Sequence, residues 1–335
     1  MFEHAHRDSV RLRTILRVIR LTILRNIVRR LALIHYRLFV STSSPSLKSS
    51  VLFPVLLLLA SMVSIQAGAS LAKTLFPAVG ATGATALRLG FGTVLLWIAF
   101  RPWTLPWRAL PWKMLVGYGV SLGTMNTLFY LALQTVPLGL AVALEFTGPL
   151  ALALLGSRRA LDLLWALLAA LGLALLVPWP GRDAALDPFG VACAVGAGVC
   201  WALYIVFGQK AGAGHGPRMV ALGSSIAAVV AVPWGVIHAG SGLLAPALLP
   251  AALGVALLSM ALPYSLEMMA LTRLPTRTFG MLMSLEPAVG ALCGLAFLHE
   301  RLSGLQWLAI AAVIVASAGA TLGARTPPPA ARLPD

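Results

Sequence analysis

The sequence predicts an all-α integral membrane protein with ten transmembrane helices, arranged as two inverted five-helix repeats. Three observations carry this prediction: an apolar composition, a division into ten apolar stretches, and a similarity between the two halves. Of the 335 residues, 59% are hydrophobic and 10% are charged, with a mean hydropathy of +0.90. A soluble globular protein has about 25% charged residues. The composition therefore excludes a soluble enzyme and a disordered chain.

Ten stretches are long and apolar enough to cross a hydrocarbon core of about 30 Å as helices. They lie at 52–72, 80–100, 114–134, 138–156, 161–178, 188–208, 217–237, 247–270, 276–298 and 303–323. Runs of this length without two-residue alternation are not strands of a membrane barrel. The first five stretches form a predicted repeat at 51–180, and the last five form a second repeat at 186–324.

Two segments of the first half align without gaps to segments of the second half. The aligned pairs are 121–137 with 259–275 and 157–172 with 299–314, and their identities include Ser121/Ser259, Pro137/Pro275 and Trp165/Trp307. A five-helix unit ends on the opposite side of the membrane from its start, so the second copy must be inverted. Inverted repeats around a midplane site are the architecture of many secondary transporters.

The distribution of Lys and Arg predicts the orientation of the bundle. With the N-terminus inside, eleven basic residues fall in inner connections and the C-terminal tail, and three fall in outer connections. Because basic residues accumulate in cytoplasmic loops, both termini, including the tail at 325–335, are predicted to be cytoplasmic.

The basic N-terminal segment, residues 1–50, holds ten Lys and Arg residues against Glu3 and Asp8. More than half of the formal net charge of +15 lies here, so the charge does not indicate nucleic-acid binding by the whole chain. Two interpretations stay open. In the first, the segment is a surface helix that binds anionic lipid. In the second, it is a dispensable extension, or it results from translation at an upstream start that is not the native one.

Four ionisable residues fall inside predicted spans: Arg88, Glu145, Glu267 and Glu286. A charge at the bilayer centre costs about 2.5 to 3.5 kcal/mol on insertion scales, so such residues usually face the bundle interior. Arg88 offers a permanent charge and a planar fork of donors that suits a carboxylate. The alternative is that Arg88 only pairs with one of the glutamates and holds helices together.

Two of the glutamates lie next to prolines. Pro149 has no amide hydrogen for the carbonyl of Glu145, so an acceptor is freed where an acidic side chain emerges, and Pro287 follows Glu286 directly. A desolvated carboxyl of this kind can carry a proton or meet an ammonium group. For each of the three glutamates, the alternative is a hydrogen bond between helices.

Neutral polar residues complete the candidate site. Those predicted to line the pathway are Gln66, Asn126, Tyr130 and Tyr264, although hydrogen bonds between helices are common in membrane bundles. The three cysteines lie in apolar runs without a CxxC pair or a histidine cluster, so no metal site, disulfide or cofactor is predicted. The sequence contains no HExxH or GxSxG motif, which argues against a membrane-embedded enzyme.

Several stretches resemble a known family. They are VSIQAGASLAKTLFP, TALRLGFGT, GVSLGTMNTLFYLALQTVPLGLAVALEFTGPLA and LPYSLEMMALTRLPTRTFGMLMSLEPA. Through these residues the chain resembles the drug/metabolite transporter superfamily, with two EamA-type halves, from about residue 51 to about residue 323. The resemblance implies ten helices, an inverted repeat, and proton-coupled export of small amino acids such as threonine and homoserine across a bacterial inner membrane.

A zwitterionic substrate fits the candidate residues. Arg88 would hold the carboxylate, Glu145 would meet the ammonium group, and Asn126 or Tyr130 would contact a side-chain hydroxyl. Other amino acids, purine-like metabolites or toxic analogues stay open as cargo, and so does a passive facilitator or channel. The predicted partners are the substrate, a proton and the lipid bilayer, with no nucleic acid, and the predicted oligomeric state is a monomer.

Overall fold

The computed structural model describes residues 52–155, 160–176, 186–212, 217–271, 273–274, 279 and 282–323. Every regular element in these ranges is helical. The described residues all belong to one compact unit, Val51–Asp335. The predictions for residues 1–50 and for the tail at 325–335 fall outside the described residues, and the division into repeats at 51–180 and 186–324 stays a prediction.

The helices of the first half follow one another through short connections. They are α1 (Leu52–Lys73), α2 (Phe76–Phe100), α3 (Trp112–Ala132), α4 (Leu138–Leu155) and α5 (Ala160–Leu176). Helix α2 is kinked at Gly80, whose φ of 68° is a backbone conformation that favours glycine. Two short 3₁₀ turns link α2 to α3 and carry exposed tryptophans, as expected at a membrane interface.

The second half departs from the predicted apolar spans at two places, one in the span 247–270 and one in the span 276–298. Its helices are α6 (Pro188–Gly212), α7 (Pro217–Ala239), α8 (Leu249–Ala256), α9 (Leu262–Leu271), α10 (Glu286–Leu298) and α11 (Gly304–Gly323). The predicted span 247–270 is interrupted by a π-helical turn, Leu257–Ala261, between α8 and α9. In the predicted span 276–298, the described residues 279, 282 and 283 are helical and a turn follows at 284–285. Helix α10 then begins at Glu286, and Pro287 occupies an early helical position suited to proline.

Among the described residues, five helical stretches are long and apolar enough to cross a membrane by length and composition: Leu52–Lys73, Phe76–Phe100, Pro188–Ala211, Pro217–Leu244 and Leu249–Glu267. Shorter apolar helices accompany them. Many large apolar side chains point outward, among them Leu155, Ile237 and Leu244. In water such a surface would drive association, whereas in a bilayer it faces lipid. The all-helical membrane fold is confirmed, and the ten-helix inverted arrangement stays a prediction.

Helix packing brings α1, α2, α3, α4, the π-helical turn and α10 around one buried polar region, with the π-helical turn against both α1 and α2. Helix α1 packs against α9 and α10, α2 packs against α8, and α4 packs against α10. Close approach depends on small residues: a Cβ added at Gly148 would lie 1.8 Å from the carbonyl oxygen of Gly198, so α4 and α6 meet backbone to backbone.

Candidate functional site

Arg88 lies in the middle of α2, and its side chain is buried with 7% exposure. Its Nε donates to Ser259 Oγ at 2.7 Å, and its Nη2 donates to the Ser259 carbonyl oxygen at 2.9 Å. The described residues contain no ion pair between Arg88 and a glutamate. The predicted alternative, in which Arg88 pairs with a glutamate to hold helices together, is therefore not what the structure shows.

The Tyr130 ring lies over the guanidinium of Arg88. The Arg88 Cζ atom is 5.4 Å from the centroid of the Tyr130 ring, which is within the range of a cation–π contact. The Tyr130 side chain is almost fully buried, and its hydroxyl lies near the Ser259 side chain but makes no hydrogen bond of good geometry in the described part of the chain. A buried hydroxyl without a partner costs about 1 to 3 kcal/mol, so a ligand that bonds to it gains that amount.

Gln66 and Glu286 form a second buried pair, which joins α1 to the start of α10. Gln66 Nε2 donates to Glu286 Oε1 at 3.4 Å. The remaining atoms of the two groups, Gln66 Oε1 and Glu286 Oε2, are both buried acceptors without a donor among the described residues. Two acceptors that lack donors indicate a place for a proton or for a donor-rich cation.

Glu145 lies on α4 with 8% exposure, and no hydrogen bond or ion pair joins its side chain to another described residue. The charges of Glu286 and Arg88 both act on it, which places the three groups in one neighbourhood. Helix α4 continues through Pro149, as predicted. The carbonyl that Pro149 frees faces Gly198, where an added Cβ would lie 2.5 Å from the Glu145 oxygen, so α6 packs against this acceptor.

Glu267 and Asn126 are engaged in bonds close to the helix backbones. Ser61 Oγ lies 2.8 Å from Glu267 Oε1 and 3.3 Å from the Pro263 carbonyl, which ties α1 to α9. Asn126 Nδ2 donates to the carbonyl of Leu122 on its own helix at 2.7 Å. Each of these two side chains therefore already makes a hydrogen bond within the protein.

Tyr264 belongs to an aromatic group beside the centre. The charges of Arg88, Glu145 and Glu267 act on Tyr264, so it shares their neighbourhood. Beside it, Tyr118 and Tyr204 stack with ring centroids 4.7 Å apart, and their hydroxyls are 3.4 Å from each other. We call the buried set Gln66, Arg88, Tyr130, Glu145, Ser259 and Glu286 the polar centre.

Sequence reasoning missed Ser259. The signal was present, because Pro263 follows four residues after it, the spacing that drew attention to Glu145 and Pro149. The hydroxyl of a serine is weak evidence for a site when seen alone, whereas its contact with Arg88 crosses 171 residues of sequence.

A second polar cluster lies at the helix ends, away from the polar centre. Lys73 Nζ is 2.5 Å from Glu300 Oε1, and Glu300 Oε2 accepts from the backbone amide of Leu138 at 2.8 Å. Near it, Asp187 accepts from the Thr135 hydroxyl at 2.8 Å, and this bond lowers the pKa of the Asp187 carboxyl. These contacts join the ends of helices.

Comparisons with known proteins identify the family and agree with the fold. A model of the EamA-like transporter family matches residues 188–322. The threonine/homoserine exporter RhtA of Salmonella typhimurium strain LT2 is 58% identical over 281 residues, which are 84% of this chain and 95% of the relative. The protein of the same name from Escherichia coli strain K12 is 58% identical over 279 residues, which are 83% and 94% of the two chains.

A solved crystal structure shares the fold. It is 21% identical and covers 83% of this chain and 99% of its own, with a TM-score of 0.56. The comparisons together confirm the resemblance to EamA-type transporters that the sequence motifs indicated. The relatives are named as exporters and not as enzymes.

Proposed function

Because the chain belongs to the EamA-like transporter family, we propose that it exports threonine, homoserine and related small amino acids from the cytoplasm. The observation that carries this proposal is the 58% identity to threonine/homoserine exporters across nearly their whole length. The apolar helices and this relationship make the chain a multi-pass protein of a bacterial inner membrane.

The helix pairs support an arrangement of two inverted repeats. In such an arrangement each helix of the first half has a counterpart in the second half. The counterparts of α1, α2, α3, α4 and α5 are α6, α7, the α8–α9 unit, α10 and α11. A contact of α1 with α9 then predicts a contact of α6 with α3, and a contact of α1 with α10 predicts a contact of α6 with α4. All four contacts are present, as are the self-paired contacts of α2 with α7 and α5 with α11. The excess of basic residues in inner connections supports cytoplasmic termini, and a unit that contains both repeats can work as a monomer.

A zwitterionic amino acid fits the polar centre with its groups in three places. Arg88 binds the carboxylate, because its guanidinium is fixed and carries a permanent charge. Glu145 meets the ammonium group, because its carboxyl has no other partner in the described residues. Of the two candidates for the substrate hydroxyl, Tyr130 is favoured over Asn126, because its own hydroxyl is unpartnered and the Asn126 amide is in use.

The pair of Gln66 and Glu286 supports proton coupling. When Glu286 binds a proton at Oε2, an unpartnered acceptor becomes a donor, and Gln66 Oε1 is an acceptor in need of one. A buried charge without a positive partner is costly, so this carboxyl favours a bound proton. Glu286 therefore carries the proton, and Glu267, already bonded to Ser61, ties helices together.

Transport then follows an alternating-access cycle with proton antiport. Substrate enters from the cytoplasm while the carrier carboxyl is deprotonated, and the two halves rock to open the centre to the outside. A proton from the outer side binds as the substrate leaves, and it returns inward to reset the cycle. The ammonium group at Glu145 and the proton at Glu286 bind to neighbouring carboxyls whose charges act on each other, and this interaction links their movements.

Expression in an exporter-deficient bacterial strain tests the proposed function. Cells that carry the protein should grow in excess threonine or homoserine at concentrations that stop cells with an empty vector. Extracellular threonine should rise correspondingly. If the protein is present in the membrane and confers neither resistance nor release, the proposed cargo is wrong.

A further inference from the structure

We propose that Ser259 is a positioning residue for Arg88, which it holds so that one edge of the guanidinium faces the substrate carboxylate. This inference rests on the proposed function of Arg88. It assigns to Ser259 no contact with the substrate. The evidence is the local backbone at the π-helical turn, the bonds to Arg88 and the packing around both residues.

The carbonyl of Ser259 lacks the donor that a regular α-helix would supply. In an α-helix the carbonyl of residue 259 accepts from the amide of residue 263, and residue 263 is Pro263, which has no amide hydrogen. The π-helical turn Leu257–Ala261 lies at this point. A donor from another helix can therefore bind this carbonyl where the regular α-helical bond is absent.

Arg88 supplies that donor through one edge of its fork. The guanidinium has a side edge, formed by Nε and one hydrogen of Nη2, and an end edge, formed by Nη1 and the second hydrogen of Nη2. Nε bonds to Ser259 Oγ and Nη2 bonds to the Ser259 carbonyl, so Ser259 occupies the side edge. The end edge has no bond to another described residue, and its geometry matches a carboxylate in two parallel bonds.

The serine hydroxyl is itself held in a fixed orientation. Ser259 Oγ donates to the carbonyl of Val255 at 2.6 Å, so its lone pairs are left to accept from Arg88. A Cβ added at Gly68 would lie 2.8 Å from Ser259 Cβ, which shows that α1 packs directly against this residue. With Tyr130 over the guanidinium face, Arg88 has little freedom to turn away.

Equilibrium binding of radiolabelled threonine to the purified full-length protein tests this role. Ser259→Ala removes the hydroxyl and leaves the carbonyl, so Arg88 stays in place with one anchor fewer. The expected result is a Kd raised about tenfold, which corresponds to ~1.4 kcal/mol. Ser121→Ala is the matched control, because Ser121 is the repeat-equivalent buried serine and has no bond to an arginine in the described residues. Its Kd should stay within twofold of the wild type.

Two further variants separate positioning from a general packing defect. Pro263→Ala restores the amide that competes with Arg88 for the Ser259 carbonyl, and it should raise the Kd in the same direction. Arg88→Lys keeps the positive charge but lacks the guanidinium edge that bonds to Ser259. In this background, Ser259→Ala should therefore change the Kd by less than twofold. The proposal is overturned if Ser259→Ala alone has the wild-type Kd. It is also overturned if Ser259→Ala raises the Kd by the same factor in the wild-type protein and in the Arg88→Lys variant. Wild-type protein that binds no threonine overturns the proposed function itself.

Discussion

The basic and the acidic sides of the polar centre are buried to the same degree and differ in how they are bonded. Arg88, Glu145 and Glu286 have exposures of 7%, 8% and 5%. Arg88 is held by two hydrogen bonds and a stacked ring. On the acidic side, Glu145 has no partner and Glu286 has an unpartnered oxygen in the described residues. This difference indicates that Arg88 is a fixed anchor and that the two glutamates exchange their ligands.

A fixed Arg88 beside two glutamates with unpartnered oxygens suits the exchange of an amino acid and a proton in the polar centre. Each unpartnered buried polar atom costs about 1 to 3 kcal/mol, and binding of an ammonium group or a proton recovers this free energy. Arg88 keeps its two bonds to Ser259 while its open end edge takes the substrate carboxylate. The carboxylate can therefore be held throughout loading while Glu145 binds or releases the ammonium group and Glu286 binds or releases the proton.

The largest expected effect comes from removal of the fixed base. Arg88→Ala should reduce threonine export by more than about 100-fold, because a buried charge-assisted contact and the Ser259 anchor are lost together. Efflux from loaded cells, normalised to membrane content, measures this effect. Arg108→Ala, which changes an exposed arginine in the turn before α3, should export at the wild-type rate. Normal export by Arg88→Ala would show that this arginine does not bind the carboxylate.

The next effect separates proton coupling from binding on the acidic side. Glu286→Gln is permanently neutral, so it should keep threonine counterflow within about threefold of wild type and lose stimulation by a pH gradient. Glu267→Gln should retain that stimulation, since the Glu267 carboxyl is bonded to Ser61. Coupling that survives in Glu286→Gln and disappears in Glu267→Gln would reverse the assignment.

A smaller effect is expected at the other acid. Glu145→Gln removes the negative charge opposite the ammonium group and keeps the shape of the side chain. The KM for threonine should rise about tenfold, with a maximal rate within about twofold of wild type. Kinetics of export over a wide threonine range decide between this outcome and an unchanged KM, which would leave Glu145 without a substrate contact.

The smallest effect is expected at the ion pair outside the polar centre. Lys73→Met breaks the contact with Glu300 and should lower thermal stability by about 1 kcal/mol, because partly exposed pairs contribute little. The KM for threonine should not change. A large change in KM would mean that this cluster takes part in transport, and the contrast between the polar centre and the helix ends would be lost.

The sequence predicted the apolar helices and the burial of Arg88, Glu145 and Glu286, because lipid makes burial of charge a strong constraint on position. It also predicted a helix break beside Glu286. It did not predict that Gln66 pairs with Glu286, since these residues are 220 positions apart and only packing brings them together. The π-helical turn at Ser259 was hidden for a similar reason, because apolar periodicity does not distinguish one helix from two joined by a wider turn.

Threonine uptake into proteoliposomes tests proton-driven transport most directly. Threonine is a zwitterion near neutral pH, so a pH gradient alone does not redistribute it. Vesicles that are acidic inside should accumulate external threonine above its equilibrium level, and a protonophore should abolish the excess. Uptake that stops at equal concentrations with or without the gradient would contradict antiport and indicate a passive facilitator.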